Sequence, residues 1–182
     1  MRIISGKFKG KKLHSKKNSK VRPTTDRVKE AIFNIIQGTI SNTVVIDLFA
    51  GFGSLGLEAL SRGANKVYFV EKMKSNSQII KKNIKSCNME NHSEVFTTDV
   101  FDFLTHTKIK ADIIFMDPPY DRGYLNKSIT SIIKNQIIKK PGLIIVEHSL
   151  KEKAPDYTKL EIVRERKYGN TQVTIYYNKE ET

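Results

Sequence analysis

The stretch Val44-Val45-Ile46-Asp47-Leu48-Phe49-Ala50-Gly51-Phe52-Gly53-Ser54-Leu55-Gly56 decides the fold of this chain, because it passes from an apolar strand through a glycine-rich loop into a helix. Gly51, Gly53 and Gly56 satisfy the pattern G-x-G-x-x-G, which is typical of nucleotide-binding α/β proteins. The glycines permit a tight turn and let a ligand approach the backbone closely. Glu71 follows the next apolar run, and its carboxylate can accept hydrogen bonds from ribose hydroxyls. These residues predict a cofactor that contains a nucleoside.

The sequence on both sides of this stretch alternates between apolar runs and helical patterns. Strands are predicted at 44–49, 66–70, 94–98, 112–116 and 142–147, with helices at 54–62, 75–88 and 124–138 and a short helical turn near 100–105. Upstream, apolar residues at helical spacing from Val28 to Ile36 predict an amphipathic helix. Downstream, residues 160–168 and 171–177 flank Gly169-Asn170 and predict an antiparallel hairpin. This order predicts an α/β fold with a doubly wound, Rossmann-like, mostly parallel sheet.

The length of 182 residues allows one domain with a full core, and its composition (38% apolar, 28% charged) is that of a soluble globular protein. We expect a basic N-terminal β-hairpin or arm at 1–21, which contains Gly6 and Gly10, on a main domain at 22–182. No apolar run approaches the ~18 residues of a membrane span, and the N-terminus lacks a signal-peptide pattern. Cys87 is the only cysteine, which excludes an internal disulfide and a cysteine zinc cluster. A monomer in the cytoplasm is expected.

The charge of the chain is concentrated at its start. The net charge is +13, and residues 1–29 hold eleven Lys or Arg and one acidic residue. A basic arm on a nearly balanced body is typical of a protein that binds a polyanion, and a solvated tail is the alternative. A membrane surface is disfavoured because residues 7–20 form no amphipathic helical stripe. The residues predicted to hold a nucleic-acid backbone are Lys7, Lys9, Lys11, Lys12, Arg22, Thr24 and Arg27, although Arg22-Pro23-Thr24 also suits a local turn and helix cap.

A second motif, Asp117-Pro118-Pro119-Tyr120, follows the apolar run at 112–116. The prolines fix φ and donate no backbone hydrogen bond, so their carbonyls point where a stiff backbone directs them. Together with the carboxylate and the flat tyrosine ring, these groups suit a nucleobase with an exocyclic amine. A rigid turn that caps a strand is the structural alternative.

The cofactor is either a dinucleotide or S-adenosylmethionine on these patterns. Asp47 lies four residues before Gly51, where a carboxylate would repel a pyrophosphate but suit a sulfonium and an ammonium group. Asp99 could accept from an adenine amine while the Val100 N–H serves a ring nitrogen, although Asp99 also suits a helix N-cap. If strand 44–49 neighbours strand 112–116, the glycine-rich loop and the Asp117 loop face one crevice at the carboxyl ends of the strands.

Two sets of residues give the chain a family resemblance. Asp47-x-Phe49-Ala50-Gly51-x-Gly53-x-x-Gly56-x-Glu58-Ala59 with Asp117-Pro118-Pro119-Tyr120 resembles the class I methyltransferases that act on exocyclic amines. The segment from Arg22 to Asn34 and the opening Arg2-Ile3-Ile4-Ser5-Gly6 narrow this resemblance to the RsmD family, nearly end to end. Lys29 stands where this resemblance leads us to expect an arginine, on a face expected to be exposed.

The resemblance implies a seven-stranded sheet with an antiparallel last strand, and S-adenosyl-L-methionine as methyl donor with S-adenosyl-L-homocysteine as product and no metal. It implies a guanine N2 amine of 16S rRNA, in an assembled or assembling small ribosomal subunit, as acceptor. The predicted catalytic residues are Asp117, Pro118, Pro119 and Tyr120. The predicted cofactor-binding residues are Asp47, Phe49, Ala50, Gly51, Gly53, Glu71, Asp99 and Val100.

Three other functions remain open at this point. An adenine-N6 methyltransferase could use the same Asp117-Pro118-Pro119-Tyr120 site, but an enzyme of that kind on DNA generally needs a sequence-reading domain that 182 residues do not accommodate. A carbon-5 pyrimidine methyltransferase needs a nucleophilic thiolate, and Cys87 lies far from both motifs along the chain. A non-catalytic nucleic-acid-binding module is disfavoured by the intact acidic positions 47, 71, 99 and 117.

Overall fold

The structure is a computed structural model that describes residues 1–16, 25–120, 123–152 and 154–179. Arg22 and Thr24, two of the residues predicted to contact nucleic acid, lie outside these ranges. The helices are α1 (Asp26–Ile35), α2 (Ser54–Ser61), α3 (Lys74–Ser86), α4 (Val100–His106) and α5 (Tyr124–Lys134), with a 3₁₀ turn at Glu90–His92. The strands are β1 (Val44–Leu48), β2 (Lys66–Val70), β3 (Ser93–Phe96), β4 (Ala111–Met116), β5 (Ile138–Ser149), β6 (Glu161–Tyr168) and β7 (Thr171–Asn178).

The strands form one seven-stranded sheet in the order β3-β2-β1-β4-β5-β7-β6. The pairs from β3 to β5 are parallel, whereas β7 runs antiparallel to both β5 and β6. The predicted doubly wound sheet, its antiparallel last strand and the closing hairpin are therefore confirmed. Strands β2 and β3 lie on one side of β1, and β4 and the later strands lie on its other side. The strand order therefore reverses between β1 and β4, which makes the carboxyl ends of these two strands the topological switch point.

Each face of the sheet carries its own apolar core. Val45, Phe115 and Ile145 belong to a cluster that includes residues of α1, α2 and α3. Ile46 and Ile114 belong to a second cluster with residues of α4 and α5. Burial of alternate positions on opposite faces explains why the parallel strands appear in the sequence as nearly continuous apolar runs.

Residues 135–141 differ from the sequence prediction. Helix α5 ends at Lys134 and β5 begins at Ile138, whereas a helix to 138 and a strand from 142 were expected. Gln136 adopts φ 51°, a left-handed conformation that a helix cannot contain. The apolar pair Ile137-Ile138 was therefore wrongly assigned to the helix, because periodicity alone does not distinguish a helix end from a strand start.

The N-terminal segment folds back on itself with less β-structure than expected. Ile3 N–H donates to the Lys11 carbonyl (3.0 Å) and Gly10 N–H to the Ile3 carbonyl (2.9 Å), but only Arg2 and Lys12 form an isolated antiparallel bridge. Ile3 is 0% exposed and contributes to the core. The described part of the arm is thus packed onto the domain. The predicted boundary at residue 21 lies outside the described residues and remains a prediction.

The expectation that Lys29 is exposed is wrong. Its side chain is 0% exposed, its Nζ donates to the Arg2 carbonyl (2.5 Å) and the Ser54 hydroxyl (3.3 Å), and it lies 3.8 Å from the Glu58 carboxylate. Burial lowers the pKa of Lys29, while Glu58 and Asp26 oppose that shift. The arm covers this face of α1, a long-range contact that helical periodicity does not reveal.

Glu58 and Asn83 are two further buried polar residues that hold the arm. Glu58 accepts hydrogen bonds from the N–H groups of Ile4 (2.8 Å) and Ser5 (3.0 Å) and from Arg62 Nε (2.8 Å). Asn83 Oδ1 accepts from the His14 N–H (2.7 Å), and Asn83 Nδ2 donates to the carbonyls of His14 (3.1 Å) and Phe52 (3.2 Å). The arm is therefore hydrogen-bonded to α2 and, through Asn83, to the glycine-rich loop.

Candidate active site

The loops that follow β1 and β4 leave neighbouring strands at the same edge of the sheet. The two strands are parallel, and Leu48 lies opposite Met116 at their carboxyl ends. Phe49 and Asp117 are the residues that follow these two strand ends, so the glycine-rich loop and the Asp117 loop begin side by side. The adjacency that the sequence analysis required of these strands is confirmed.

The glycine-rich loop is shaped by left-handed residues. Phe49, Gly51 and Gly53 have φ values of 58°, 58° and 82°. The left-handed region is unfavourable for a bulky residue such as Phe49, at a cost of about 1–3 kcal/mol, so the surrounding contacts must hold it. The Ala50 N–H donates to the Val70 carbonyl (3.0 Å), and the Phe49 ring stacks on Tyr124 with 6.1 Å between centroids. These contacts fix the loop against β2 and α5.

Asp47 supports the first turn of α2. Its Oδ2 accepts a hydrogen bond from the Gly56 N–H (2.9 Å), and the residue is only 3% exposed. Burial raises the pKa of Asp47 to about 7, the Gly56 hydrogen bond opposes this, and the nearby Glu71 adds to it. A cation near this carboxylate would favour its ionised form. Contact between Asp47 and a cofactor remains a prediction.

Glu71 ties the glycine-rich loop to the end of β2. Its Oε2 accepts from the Gly51 N–H (2.8 Å) and its Oε1 from the Met73 N–H (2.7 Å). Burial raises the pKa of Glu71 and these two hydrogen bonds oppose the shift. Each carboxylate oxygen can accept more than one hydrogen bond, so this arrangement is compatible with the predicted ribose contacts.

Asp99 is the N-cap of α4, as one of the two interpretations of the sequence expected. Its Oδ1 accepts from the Phe101 N–H (2.9 Å) and its Oδ2 from Lys72 Nζ (3.0 Å). Burial would raise the pKa of Asp99, but the hydrogen bonds from Lys72 and Phe101 outweigh it and the pKa is lowered. The ring of Phe101 packs edge-on against Tyr124 at 5.4 Å. Val100, the first residue of α4, follows Asp99 and is buried.

The Asp117 loop is anchored through its tyrosine. Tyr120 Oη lies 3.2 Å from Thr171 Oγ1, which connects the loop to the first residue of β7. Asp117 and Tyr120 are half-buried, Pro118 is buried and Pro119 is exposed. Thr171 belongs to no motif, and the hairpin predicted around Gly169-Asn170 did not show at which edge of the sheet its turn would lie.

A cleft of about 180 Å³ lies beside this anchor. Its lining includes Arg27 near the start of α1, Glu147 near the end of β5, and Lys167, Tyr168 and Thr171 from the last hairpin. Only Arg27 was predicted from the sequence as a functional residue of this set.

The basic residues of the arm are exposed but do not cluster at the crevice. The Lys7 N–H donates to the carbonyl of Ser61, the last residue of α2 (2.8 Å). An eight-residue helix is about 12 Å long, so the tip of the arm lies about that far from the start of α2. Arg27, in contrast, lines the cleft beside Tyr120.

His148 is a buried residue of β5 with a side-chain partner on β7. It is 1% exposed, and its Nε2 lies 2.9 Å from Thr174 Oγ1.

Within residues 1–16, 25–120, 123–152 and 154–179, no group of three or more His, Cys, Asp or Glu side chains could hold a metal ion. In the same part of the chain, no helix has the length and apolar character needed to cross a bilayer.

Comparison with known proteins identifies the family. The profile described as Conserved hypothetical protein 95 matches residues 1–177. Ribosomal RNA small subunit methyltransferase D of Haemophilus influenzae is 35% identical over 182 residues, which cover 98% of this chain and 94% of the relative. This chain belongs to the RsmD family. A second relative, from Bacillus subtilis, is described as a candidate rRNA methyltransferase. It is 38% identical over 181 residues, which cover 97% of this chain and 98% of the relative.

Solved structures share the RsmD fold. An Escherichia coli protein described as a candidate methyltransferase superimposes with a TM-score of 0.89 at 31% identity, over 100% of this chain and 99% of its own. An RNA methyltransferase from Salinibacter ruber, solved with S-adenosyl-L-homocysteine, superimposes with a TM-score of 0.70 at 14% identity, over 88% of this chain and 96% of its own. At that identity the second likeness shows the shared class I methyltransferase fold alone.

Proposed function

We propose that this member of the RsmD family transfers a methyl group from S-adenosyl-L-methionine to the exocyclic N2 amine of one guanine in 16S rRNA of the small ribosomal subunit. The observation that carries the proposal is the adjacency of β1 and β4, which brings the glycine-rich loop and the Asp117 loop to one edge of the sheet. The names of the relatives support ribosomal RNA as the substrate, and the family resemblance supplies the guanine.

The donor fits the residues along this edge. S-adenosyl-L-methionine supplies an electrophilic methyl group on a sulfonium cation. The ionised Asp47 carboxylate favours a neighbouring cation, and Glu71 can accept from ribose hydroxyls while it holds the Gly51 N–H. The Asp99 carboxylate and the Val100 N–H offer an acceptor and a donor for adenine. Phe49, Ala50 and Gly53 shape the loop that the donor would approach.

The acceptor amine is activated by the Asp117 loop. The lone pair of a guanine N2 is delocalised into the ring, which makes it a weak nucleophile. Hydrogen bonds from this amine to the Asp117 carboxylate and the Pro118 carbonyl favour a pyramidal nitrogen and aim its lone pair. The Tyr120 ring stacks on the base, and its hydroxyl contact with Thr171 sets the plane of the ring. Pro119 stiffens the turn. After the methyl transfer, the methylated N2 amine loses its extra proton to Asp117 or to water.

The RNA is held by the basic residues. The target base must leave its stack to enter the crevice, so the surrounding backbone has to be fixed. Arg27 lines the cleft, and the tip of the arm, which carries exposed lysines, lies at the end of α2 about 12 Å from the start of that helix, so the two groups of cations can contact different phosphates. These lysines are Lys7, Lys9, Lys11 and Lys12, and Arg22 and Thr24 belong to the same proposal. The enzyme would then act as a monomer in the cytoplasm, where ribosomal subunits are made.

The test is transfer of labelled methyl groups to small subunits that lack the modification, to naked 16S rRNA and to duplex DNA in parallel, followed by nucleoside analysis. N2-methylguanosine from the small subunit is the expected product. N6-methyladenine from any of the three substrates would support the adenine enzyme instead. Absence of S-adenosyl-L-methionine binding in calorimetry would support a non-catalytic binding module.

An Asp117→Ala variant tests the proposed chemistry within the same assay. Loss of one charge-assisted hydrogen bond, worth about 1.5–3 kcal/mol, corresponds to a rate about 10- to 150-fold lower. Binding of S-adenosyl-L-methionine should be retained. Asp156→Ala, which changes an exposed aspartate outside the crevice, is the matched control and should keep full activity. Full activity in the Asp117 variant would remove this residue from the mechanism.

A further inference from the structure

We propose that the cleft beside Tyr120 is the subsite that distinguishes guanine from adenine, and that Glu147 is the residue that reads the guanine N1–H. This inference rests on the proposed function and deepens it, because it names the group that selects the base. Neither the relatives nor the motifs assign a role to this cleft or to Glu147.

The register of the sheet places Glu147 beside the proposed catalytic aspartate. Met116 of β4 lies opposite Val146 of β5, so Asp117 and Glu147 are the next positions on two parallel neighbours. Neighbouring strands are about 4.8 Å apart. Phe115 and Ile145, two residues earlier on each strand, belong to the same core cluster. Because side chains alternate between faces along a strand, Glu147 follows Ile145 on that face, and Asp117 is the first residue after the end of β4.

The walls of the cleft suit one flipped nucleotide. Its volume of about 180 Å³ is slightly larger than the ~150 Å³ of a cavity that holds one benzene ring, which is the scale of one nucleobase. Glu147 is 7% exposed and lies in its lining, so its carboxylate is largely screened from bulk water. The cations of Arg27 and Lys167 are exposed, where they can meet phosphates. Thr171, the anchor of the Tyr120 ring, is also part of the lining.

The chemistry of the two bases then gives Glu147 its role. Guanine presents two neighbouring donors on its Watson–Crick edge, the N1–H and the N2 amine. When the N2 amine binds Asp117 and the Pro118 carbonyl, the neighbouring N1–H donates to the Glu147 carboxylate on β5. Adenine presents its N6 amine beside an N1 that has no hydrogen. Its N1 would therefore set a lone pair against the Glu147 carboxylate, an arrangement that a polar site disfavours strongly.

The first experiment is single-turnover methylation of small subunits by Glu147→Gln, with S-adenosyl-L-methionine saturating. The isosteric amide removes the charge of the acceptor, and we expect the rate to fall about 10- to 150-fold. Affinity for S-adenosyl-L-methionine and for the whole subunit should stay within about twofold, because the contact forms only with the flipped base. A structural defect would instead change these affinities. Glu94→Gln, on the exposed side of β3, is the matched control and should keep the wild-type rate.

A second experiment uses the wild-type enzyme and therefore does not depend on the folding of a variant. Guanosine, inosine and adenosine monophosphates are compared as inhibitors of subunit methylation. Inosine monophosphate keeps the N1–H but lacks the N2 amine, so it isolates the contact assigned to Glu147. Inhibition by the guanine and hypoxanthine nucleotides at least tenfold stronger than by the adenine nucleotide supports the proposal.

The outcomes separate this inference from the proposed function. A Glu147→Gln enzyme with the wild-type rate, or adenosine monophosphate that inhibits as well as inosine monophosphate, overturns the role of Glu147. Both results leave guanine methylation intact. Failure of the wild-type enzyme to form N2-methylguanosine would refute the proposed function itself.

Discussion

Replacement of the buried lysine that holds the N-terminal arm should destabilise the protein measurably. Lys29 loses two hydrogen bonds in Lys29→Met, to the Arg2 carbonyl at 2.5 Å and to Ser54 at 3.3 Å, and Glu58 loses a cation at 3.8 Å. Removal of one partner of a buried ion pair costs about 3–5 kcal/mol. Arg62 still donates to Glu58 at 2.8 Å, so we expect the lower end, about 3 kcal/mol of the free energy of unfolding.

The assay is urea unfolding followed by circular dichroism. In a chain of this size a loss of about 3 kcal/mol also lowers the melting temperature by roughly 6–12 °C. Lys81→Met changes an exposed lysine on α3 and serves as the control, with an expected change within about 0.5 kcal/mol. Lys29→Arg keeps the cation and should lose less than Lys29→Met.

Hydrogen exchange adds a local measurement to this prediction. The N–H groups of Ile4 and Ser5, which donate to Glu58, should exchange faster in Lys29→Met than in the wild type. A stability loss below about 1 kcal/mol, with unchanged exchange at both amides, would refute the conclusion that Lys29 holds the arm.

Three further predictions concern the crevice and the arm. Asp47, with a pKa near 7, should be mostly protonated at pH 6 and mostly ionised at pH 8, so affinity for S-adenosyl-L-homocysteine should rise by up to about tenfold across this range in calorimetry; an equal rise in Asp47→Asn would contradict it. Tyr120→Ala should lower the methylation rate about 5- to 150-fold through the loss of ~1–3 kcal/mol of stacking, whereas Tyr120→Phe, which keeps the ring but lacks the hydroxyl that meets Thr171, should lose less; equal rates in the two variants would argue against stacking. Joint neutralisation of Lys9 and Lys11 should weaken subunit binding and flatten its dependence on salt, and an unchanged slope would remove both residues from the RNA interface.

The order of elements was predictable because parallel strands that are buried on both faces consist of nearly continuous apolar residues. The sequence made a shared crevice conditional on strands 44–49 and 112–116 being neighbours, and the register of β1 and β4 meets that condition. The boundary near Gln136 could not be predicted, because a single left-handed residue inside an apolar segment has no periodic signature.

The roles of the acidic residues were only partly predictable. Asp47, Glu71 and Asp99 were predicted as acceptors for a ligand, and in the structure each also accepts from backbone N–H groups of its own loop or helix start. A sequence motif shows that an acceptor is needed but not how many donors surround it. These residues shape the loops whether or not they also contact a cofactor.

The residues that the sequence did not reveal depend on long-range contacts. Lys29 is buried because the arm covers α1, and Thr171 reaches Tyr120 because the hairpin of β6 and β7 lies at the same edge as the Asp117 loop. Glu147 stands beside Asp117 only through the register of β4 and β5. None of these placements follows from spacing along the chain, since each joins segments at least 27 residues apart.

The most direct test of the central claim is a cryo-electron microscopy structure of the enzyme with S-adenosyl-L-homocysteine on the small subunit. We predict the homocysteine sulfur above the glycine-rich loop and one flipped guanine between Asp117 and Glu147, with its N2 directed at that sulfur. A guanine still stacked in the RNA, or a cofactor bound away from the edge shared by β1 and β4, would contradict the assignment of this crevice as the site of methyl transfer.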